Sequence, residues 1–372
     1  MIDQRAGEYL TYSIPSYFLS IDKDDLNYLR ENLKSDEPVF AKLKVDGSTY
    51  RIDIAYRGSY TRKMRKRSYT LYFNDEKKFF DARTVHLNAE YLDPSLMRNK
   101  LSLDFFKELK VLAPDSQHIR LFRNDEFKGI YLQLESVDDL FLKKRNLPEG
   151  PIYYAENNDA NFSITRDGKK KKSRLSGYYQ AFGTSTDDQF LREFISRINT
   201  TSKIEFPEII SQYLNIDTFL NWLIGAVCTM NNDGFTHNYS LYHNKVTGLY
   251  EIMPWDYDGT WGRKISGGVM EHTYVPLEGK KENHLIYLLL QVPEFRRMYK
   301  EKLEETLETK FTVDFMKEKV MKLHQSIRPD FLLDPYKKHK IDLFDQEPDF
   351  IFQFIRKRND YLKRKLKSFI LD

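Results

Sequence analysis

The stretch from Asn231 to Gly262, NNDGFTHNYSLYHNKVTGLYEIMPWDYDGTWG, carries the strongest indication of fold and chemistry in this chain of 372 residues. Within it, Tyr239 to His243 and Leu249 to Pro254 are short strand candidates joined by a turn. In an antiparallel hairpin, the start of the first strand lies beside the end of the second. We therefore expect Asn238, just before the hairpin, and Asp256, just after it, to be neighbours.

Oxygen-bearing side chains flank this predicted hairpin. Asp233 precedes Asn238 by five residues, and Asp256 and Asp258 follow the second strand. Such a set suits Mg²⁺, a hard cation that prefers oxygen ligands and completes its shell with substrate phosphates. In protein kinases, an aspartate accepts the proton of the substrate hydroxyl, and an asparagine five positions later and a further aspartate hold the metals. The pattern therefore predicts a phosphoryl-transfer site.

The spacing alone is a weak signal, because D-x-x-x-x-N matches are common by chance. In the plainer interpretation, Asp233 and Asn238 are loop residues that cap local backbone, and Asp256 ends a strand. His237 follows Asp233, whereas the histidine of the kinase catalytic loop precedes the aspartate, so we interpret it as structural. From spacing, both interpretations stay open.

A kinase-like site also needs a cation for the nucleotide phosphates. A basic run precedes the predicted strand Ser68 to Phe73 and contains Arg57, Arg62, Lys63, Arg65, Lys66 and Arg67. One of these side chains, with Lys66 and Arg57 as candidates, would contact the phosphates as the strand lysine of kinases does. The alternative is a solvated basic loop, or one that holds an acidic partner, and strand register favours neither Lys66 nor Arg67.

The predicted elements favour an α+β fold with two lobes that meet at a cleft. Residues 1–135 are predicted mainly as strands, with a hairpin turn at Asp46-Gly47 and one helix capped by Asp93. Residues 136–372 are predicted mainly as helices and carry the segment described above. Glu135 lies where the lobes would join, so adenine is expected there, although a surface salt bridge explains this residue equally well.

Composition and missing motifs exclude several classes of protein. Fifty-nine Lys and Arg against 55 Asp and Glu give a net charge of +4, so no strong field draws nucleic acid or a membrane surface. The one cysteine, Cys228, excludes a disulfide framework and a multi-thiolate zinc site. The start has no signal-peptide pattern, and the most apolar run is shorter than the ~20 residues of a membrane span, so we expect a protein kept inside a cell. Rossmann, P-loop, zincin and hydrolase-elbow motifs are missing from the sequence.

Long strings in the sequence resemble the spore coat protein H (CotH) kinase family, in family order and over nearly the whole chain. They are DIAYRGSYTRKMRKRSYTLYF, HLNAEYLDPSLMRNKLSLDFF, GIYLQLESVD, NNDGFTHNYSLY, IMPWDYDGTWGR and DPYKKHKIDLFDQEPDF. The resemblance implies an atypical protein-kinase-like fold that uses ATP with Mg²⁺, or Mn²⁺, to phosphorylate serines of spore coat proteins. It implies that Asp233 is the catalytic aspartate, that Asp256 binds metal, and that Asn238 is the second metal ligand.

The resemblance leaves part of the site open. Asp258 is a further candidate ligand, and the assignment of Lys66 to phosphate is less secure because the basic run admits several alignments. The glycine-rich loop of ordinary kinases is missing, and the helix after Asp93 has no early glutamate to pair with a strand lysine. Serine-rich coat proteins are the implied substrates, and the implied location is the mother-cell cytoplasm and then the spore coat.

Two functions from other classes compete with the kinase. One is a spore-coat scaffold with a kinase-like fold and little catalysis, which would show no Mg²⁺-dependent ATP effect on melting. The other is a metal-dependent nuclease with paired aspartates. The near-neutral charge and the dispersed Lys and Arg residues count against the nuclease.

Overall fold

A computed structural model describes residues 14–73 and 79–369. The strands of the first part form a closed barrel in the order β1-β2-β3-β4-β5-β7-β6, in which the parallel pairing of β1 with β6 closes the ring. These strands are β1 Ser16–Ser20, β2 Val39–Val45, β3 Ser48–Arg57, β4 Ser68–Phe73, β5 Thr84–Asn88, β6 Ser116–Arg123 and β7 Glu126–Glu135.

Local sequence explains the hairpins of the barrel. In β2, buried and exposed residues alternate along the whole strand, as expected for a sheet with one face on a core. Asp46 and Gly47 both have positive φ, 48° and 78°, which is the backbone of a type I′ hairpin turn. The hairpin predicted from Asp46-Gly47 is confirmed, with β2 paired antiparallel to β3.

A second sheet of four strands, in the order β11-β8-β12-β13, lies outside the barrel. Its strands are β8 Ile152–Ala155, β11 Tyr178–Phe182, β12 Tyr239–His243 and β13 Tyr250–Pro254, and a separate small pair is formed by β9 Thr165–Arg166 and β10 Lys169–Lys170. The predicted hairpin around residues 239–254 is thus confirmed as β12 and β13.

Helices make up most of the remaining described structure. They are α1 Lys23–Glu31, α2 Arg98–Glu108, α3 Asp139–Lys144, α4 Asp188–Thr200, α5 Phe206–Ser211, α6 Ile216–Thr229, α7 His284–Leu289, α8 Pro293–Thr309, α9 Val313–Phe331 and α10 Ile341–Lys367. Short 3₁₀ turns lie at Thr61–Lys63 and Lys338–Lys340. In the ranges 14–73 and 79–369, no helix combines the length and the apolar character that crossing a membrane requires.

Helix α2 begins later than the sequence predicts. It starts at Arg98, with Met97 as its N-cap. The Asp93 carboxylate instead accepts hydrogen bonds from the backbone N–H of Ser95 at 2.9 Å and of Arg98 at 3.0 Å. Asp93 therefore organises the loop before the helix and satisfies one free N–H of the first turn without being the cap.

The two faces of β7 contact two different cores. Tyr131 packs into the core inside the barrel, whereas Ile130 and Leu132 join the large core of the helical region. Because side chains alternate along a strand, one strand links both cores. The apolar face of α2 also packs in the helical core, although the helix lies within residues 1–135. The division into domains at residue 135 stays a prediction.

Candidate active site

Helix α6 leads directly into the segment that contains Asp233. The helix is almost entirely buried and ends at Met230 in the left-handed conformation, φ 62°. The side-chain oxygen of Asn231, which is itself buried, then accepts hydrogen bonds from the backbone N–H of Asp233 at 3.1 Å and of Gly234 at 3.0 Å. This Asx turn fixes the backbone that presents Asp233.

The β12–β13 hairpin brings Asn238 and Asp256 together. Tyr239 pairs with Pro254 at the open end of the hairpin, so the flanking residues are opposite one another. The Asn238 carbonyl accepts from the Trp255 N–H at 3.0 Å, and the Asn238 side-chain amide donates to the Asp256 carbonyl at 3.4 Å. The proximity expected from the hairpin is confirmed, while the metal-binding roles stay predictions.

Two adjacent cavities share a wall formed by Asp256, Asp258 and Ile265, and we call them together the cleft. The larger cavity, about 230 Å³, is also lined by Asp233 and Asn238. The smaller cavity, about 110 Å³, is lined on its far side by barrel residues. They include Arg57 at the end of β3, Asn88 at the end of β5, and Glu90 in the loop that follows β5. The cleft therefore collects the predicted aspartates, the asparagine and one predicted cation.

Negative charge in the cleft is only partly balanced. Burial raises the pKa of Asp256, and the nearby Asp233 carboxylate adds to the rise, while Arg57 and His237 oppose it. Burial, followed by the charges of Asp256 and Glu90, raises the pKa of Asp258 well above its ordinary value. Burial and neighbouring carboxylates thus disfavour the ionised forms of Asp256 and Asp258 more than the nearby positive groups favour them. A bound cation would supply the missing charge.

Glu90 and Asn99 are site residues that the sequence analysis missed. Burial raises the pKa of Glu90 to about 8. Asn99 donates to Glu90 Oε1 at 3.0 Å and accepts from the Tyr257 N–H at 3.2 Å, which ties the backbone between Asp256 and Asp258 to α2. Glu90 Oε2 has no hydrogen-bond partner among the described residues. No local pattern marks these contacts, because Asn99 and Tyr257 are separated by 158 positions.

The raised pKa of Glu90 predicts a pH-dependent stability. The folded protein holds the Glu90 proton up to about pH 8, whereas the unfolded chain releases it near 4.5. The contribution of the protonated form is therefore complete below pH 4.5, declines as the pH rises, and is lost above pH 8. As the pH rises from 4.5 to about 8, we expect the melting temperature of wild type to fall relative to that of Glu90→Gln, with both proteins measured without divalent ions. A constant difference between the two proteins at all pH values would contradict the assignment.

Arg57 is the predicted cation that reaches the cleft. Its guanidinium donates to Asn88 Oδ1 at 2.6 Å and lies 5.6 Å from the centre of the Trp255 ring. Burial lowers the pKa of Arg57, and the charge of Asp256 counteracts this effect. Gly58 follows with φ 86°, a conformation that favours glycine and exposes backbone to the smaller cavity. Arg57 therefore lies where a phosphate near Asp256 would need positive charge.

Lys66 lies outside the cleft. Its ammonium is fully buried, pairs with the Asp334 carboxylate at 3.2 Å, and donates to the Ile130 carbonyl. Burial lowers the pKa of Lys66, and Asp334 counteracts the shift. Lys66 lines neither cavity of the cleft. Its contact with phosphate stays a prediction, and its position does not support that contact. The lysine instead joins the barrel to the segment after α9.

Replacing Lys66 tests this structural role. In Lys66→Met, Asp334 keeps a buried carboxylate without its ion-pair partner, which typically costs about 3–5 kcal/mol of the free energy of unfolding. Urea unfolding of the variant is expected to show a markedly lower midpoint, whereas the matched control Lys63→Met removes an exposed ammonium and should unfold like wild type. Equal midpoints for Lys66→Met and wild type would contradict the ion pair.

Glu135 is also placed away from the cleft. Arg145 donates to both carboxylate oxygens, at 3.0 and 2.7 Å, and the Asp115 N–H donates to Oε2 at 2.9 Å. Glu135 lines a separate cavity of about 220 Å³. The geometry matches the salt-bridge alternative, and its contact with adenine stays a prediction.

Comparison with known proteins places the chain in a family. The family described as CotH kinase protein matches residues 54–362, which is most of the chain. This chain belongs to the CotH kinase protein family. It is 46% identical to the inner spore coat protein H of Bacillus subtilis (strain 168) over 95% of this chain and 98% of that protein. It is 30% identical to the inner spore coat protein H-like protein of the same organism, over 78% of this chain and 83% of that protein.

Two solved structures show weak likeness to this CotH family member. One is the HipA, HipB and operator DNA complex of the Shewanella oneidensis MR-1 toxin–antitoxin system, with a TM-score of 0.31, 12% identity, and coverage of 81% of this chain and 60% of that one. The other is the Helicobacter pylori proinflammatory kinase CtkA, with a TM-score of 0.26, 10% identity, and coverage of 83% and 93%.

The donor set of the cleft in this CotH family member fits Mg²⁺. Across residues 14–73 and 79–369, no three His, Cys, Asp or Glu side chains converge closely enough to hold an ion by themselves. Mg²⁺ does not need such a group, because proteins commonly hold it through one or two carboxylates while waters and substrate phosphates complete the shell. Asp256 and the Asn238 amide oxygen can supply such ligands. The negative charge of the carboxylates around Asp258 also favours a cation.

Proposed function

We propose that this protein is an ATP-dependent protein kinase that transfers the γ-phosphate to serine or threonine hydroxyls of spore coat proteins. The observation that carries the proposal is the shared cleft, in which Asp233 and Asn238 lie on one side of Asp256 and Arg57 on the other. This is the residue set of the kinase template, assembled from three separate segments of the chain. Membership of the CotH kinase protein family supports the same activity.

Asp233 would orient the acceptor hydroxyl and accept its proton. Its carboxylate is half-buried at the larger cavity, and Oδ1 accepts a hydrogen bond from the Asn232 amide at 3.0 Å. That contact leaves the second carboxylate oxygen for the substrate and fixes the plane of the group. Positioning of this kind is the main demand of phosphoryl transfer, because the protein forms no covalent intermediate of its own.

Asp256 and Asn238 would hold the Mg²⁺ or Mn²⁺ ion, with Asp258 as a further candidate ligand. When bound, such an ion would supply positive charge against the negative charge of the nucleotide phosphates. Arg57 would bind a phosphate oxygen from the barrel side, since Asn88 and Trp255 hold its guanidinium against the cleft. Preorganised charges of this kind stabilise a transition state without reorganisation at the moment of reaction.

The proposed setting is the spore coat, with synthesis in the mother-cell cytoplasm. The names of the two Bacillus subtilis relatives, inner spore coat protein H and its H-like protein, support the spore coat as the setting. The proposed substrates are serine-rich coat proteins. Oligomeric state plays no part in the proposal, because the cleft is built from a single chain.

The proposal is tested with purified protein, labelled ATP, Mg²⁺ or Mn²⁺, and a serine-rich coat-protein peptide. Transfer of label to the peptide, together with a rise in melting temperature that needs both ATP and the divalent ion, is the expected result. A folded protein that shows neither effect would support the non-catalytic scaffold instead.

A further inference from the structure

A strongly basic pocket lies on the barrel, separate from the cleft. Its volume is about 260 Å³, and it is lined by tyrosines and by five cationic side chains, Arg30, Arg65, Arg67, Arg123 and Lys128. The pocket and the cleft have no lining residue in common. Tyr56 and Arg57 are consecutive residues of β3, and strand alternation directs Tyr56 to the basic pocket and Arg57 to the cleft.

The positive charge of the basic pocket is only partly offset by the protein. The largely exposed carboxylate of Glu126 pairs with Lys128 and also interacts with Arg123 and Arg30. Within the part of the chain that the structure describes, none of the four arginines forms an ion pair with a carboxylate. Arg123 donates to the Tyr69 hydroxyl at 2.9 Å, and Arg67 donates to the Arg62 carbonyl at 2.8 Å, so each keeps further N–H groups available. Five cations with one exposed carboxylate near them leave an excess of positive charge, which favours an anionic ligand.

The hydroxyl of Tyr56 is a second, independent indication of a ligand. Tyr56 lines the basic pocket and is only 2% exposed, and its hydroxyl has no hydrogen-bond partner among the described residues. A buried hydroxyl without a partner is costly, so native structures rarely leave one unsatisfied. The Arg67 guanidinium lies 5.2 Å from the centre of the Tyr56 ring. An anion bound beside Arg67 would therefore lie next to Tyr56, whose hydroxyl lacks an acceptor.

We propose that the basic pocket binds a phosphate monoester, and that its ligand is a phosphoserine of an already phosphorylated coat-protein substrate. Several guanidinium groups around one small volume match the oxygens of a phosphate dianion better than a single carboxylate. Arg30 and Arg65 are exposed at the rim, so a peptide can approach the pocket from solvent. Docking of one phosphoserine would hold a substrate with several serines near the cleft for further transfer. The identity of the ligand rests on the proposed kinase activity, whereas the anion site does not.

The test is a binding titration with the full-length Asp233→Asn variant, without nucleotide or divalent ion, so that no transfer takes place. The probes are a serine-rich coat peptide with one phosphoserine, the same peptide without phosphate, and inorganic phosphate. We expect the phosphopeptide to bind and the unmodified peptide to bind at least roughly tenfold more weakly. In Arg65→Gln/Arg67→Gln, phosphopeptide affinity should also fall by roughly tenfold or more. The control Arg51→Gln, on an exposed part of β3 outside the pocket, should bind like its parent.

Inorganic phosphate tests which ligand the basic pocket takes. If it displaces the phosphopeptide at the concentration at which the peptide binds, the anion site is supported with free phosphate as its ligand. Equal binding of both peptides, or unchanged binding in the double variant, would overturn the proposal. If the double variant has a lower melting temperature, Arg30→Gln, an exposed change on α1, takes its place. Absence of transfer by wild type with intact phosphopeptide binding would count against the kinase and not against this pocket.

Discussion

Replacing Asp233 by asparagine is expected to reduce phosphate transfer to a coat-protein peptide by about 10²–10⁴-fold, the usual contribution of general acid–base catalysis. Asparagine has nearly the same shape as aspartate but does not accept a proton at neutral pH. The turn that presents residue 233 depends on the Asn231 side chain and the 233 backbone, so the variant should keep the fold. Nucleotide binding should persist, because the cleft keeps Asp256, Asn238 and Arg57.

The measurement compares initial rates of label transfer by wild type, Asp233→Asn and Asp167→Asn. Asp167 lies in the turn between β9 and β10, with its side chain 90% exposed, so its replacement controls for the loss of one carboxylate. The Mg²⁺-dependent ATP effect on melting temperature should be the same in all three proteins. Near-normal transfer by Asp233→Asn would contradict its role as the base.

Replacing Asp256 by alanine is expected to remove transfer and also the Mg²⁺-dependent effect of ATP on melting. This second loss separates a metal ligand from a base, because the ion and the nucleotide support each other's binding. Without ligands, the variant should remain folded, since removal of a carboxylate with a raised pKa relieves repulsion from Asp233 and Asp258.

A second variant controls for backbone strain at this position. Asp256 has φ 56°, a conformation that asparagine tolerates better than alanine. Asp256→Asn should therefore match wild type in melting temperature without ligands and still lose most of the transfer. Retention of Mg²⁺-dependent ATP binding by both variants would contradict the proposed metal site.

The parts of the fold that the sequence predicts are those that depend on neighbouring residues. Asp46-Gly47 marks the β2–β3 turn because both residues must adopt positive φ. The proximity of Asn238 and Asp256 follows from hairpin register, because the residues between them, 239–255, form the β12–β13 hairpin and its closing position. Such local rules are enough to predict the part of the cleft that belongs to one hairpin.

Contacts between segments that lie far apart along the chain could not be predicted from the sequence. Lys66 pairs with Asp334, 268 positions away, so no local pattern distinguishes Lys66 from the other cations of its run. The same holds for Glu90, whose buried contact with Asn99 depends on how α2 packs against the segment of Tyr257. Arg57 and Lys66 are both candidates by sequence, and only the fold separates them, because Arg57 lines the cleft whereas Lys66 pairs with Asp334.

The final string that resembles the family, DPYKKHKIDLFDQEPDF, has a structural explanation. Asp334 neutralises Lys66, and Glu347 binds both Arg98 at the start of α2 and Arg263 after the cleft segment. The Arg98 guanidinium also donates to the Thr260 carbonyl at 3.0 Å. This region therefore supports the backbone around Asp256 and Asp258 without lining the cleft itself.

Coordination of a divalent ion by Asp256 and Asn238, with the nucleotide beside Asp233, can be tested by a crystal structure with Mn²⁺ and a non-hydrolysable ATP analogue. The anomalous scattering of manganese locates the ion. The expected result is a manganese peak within coordination distance of an Asp256 carboxylate oxygen and the Asn238 amide oxygen, with the terminal phosphate facing Asp233 and Arg57. A manganese peak elsewhere, or a nucleotide bound away from these side chains, would show that Asp256 and Asn238 are not the metal ligands.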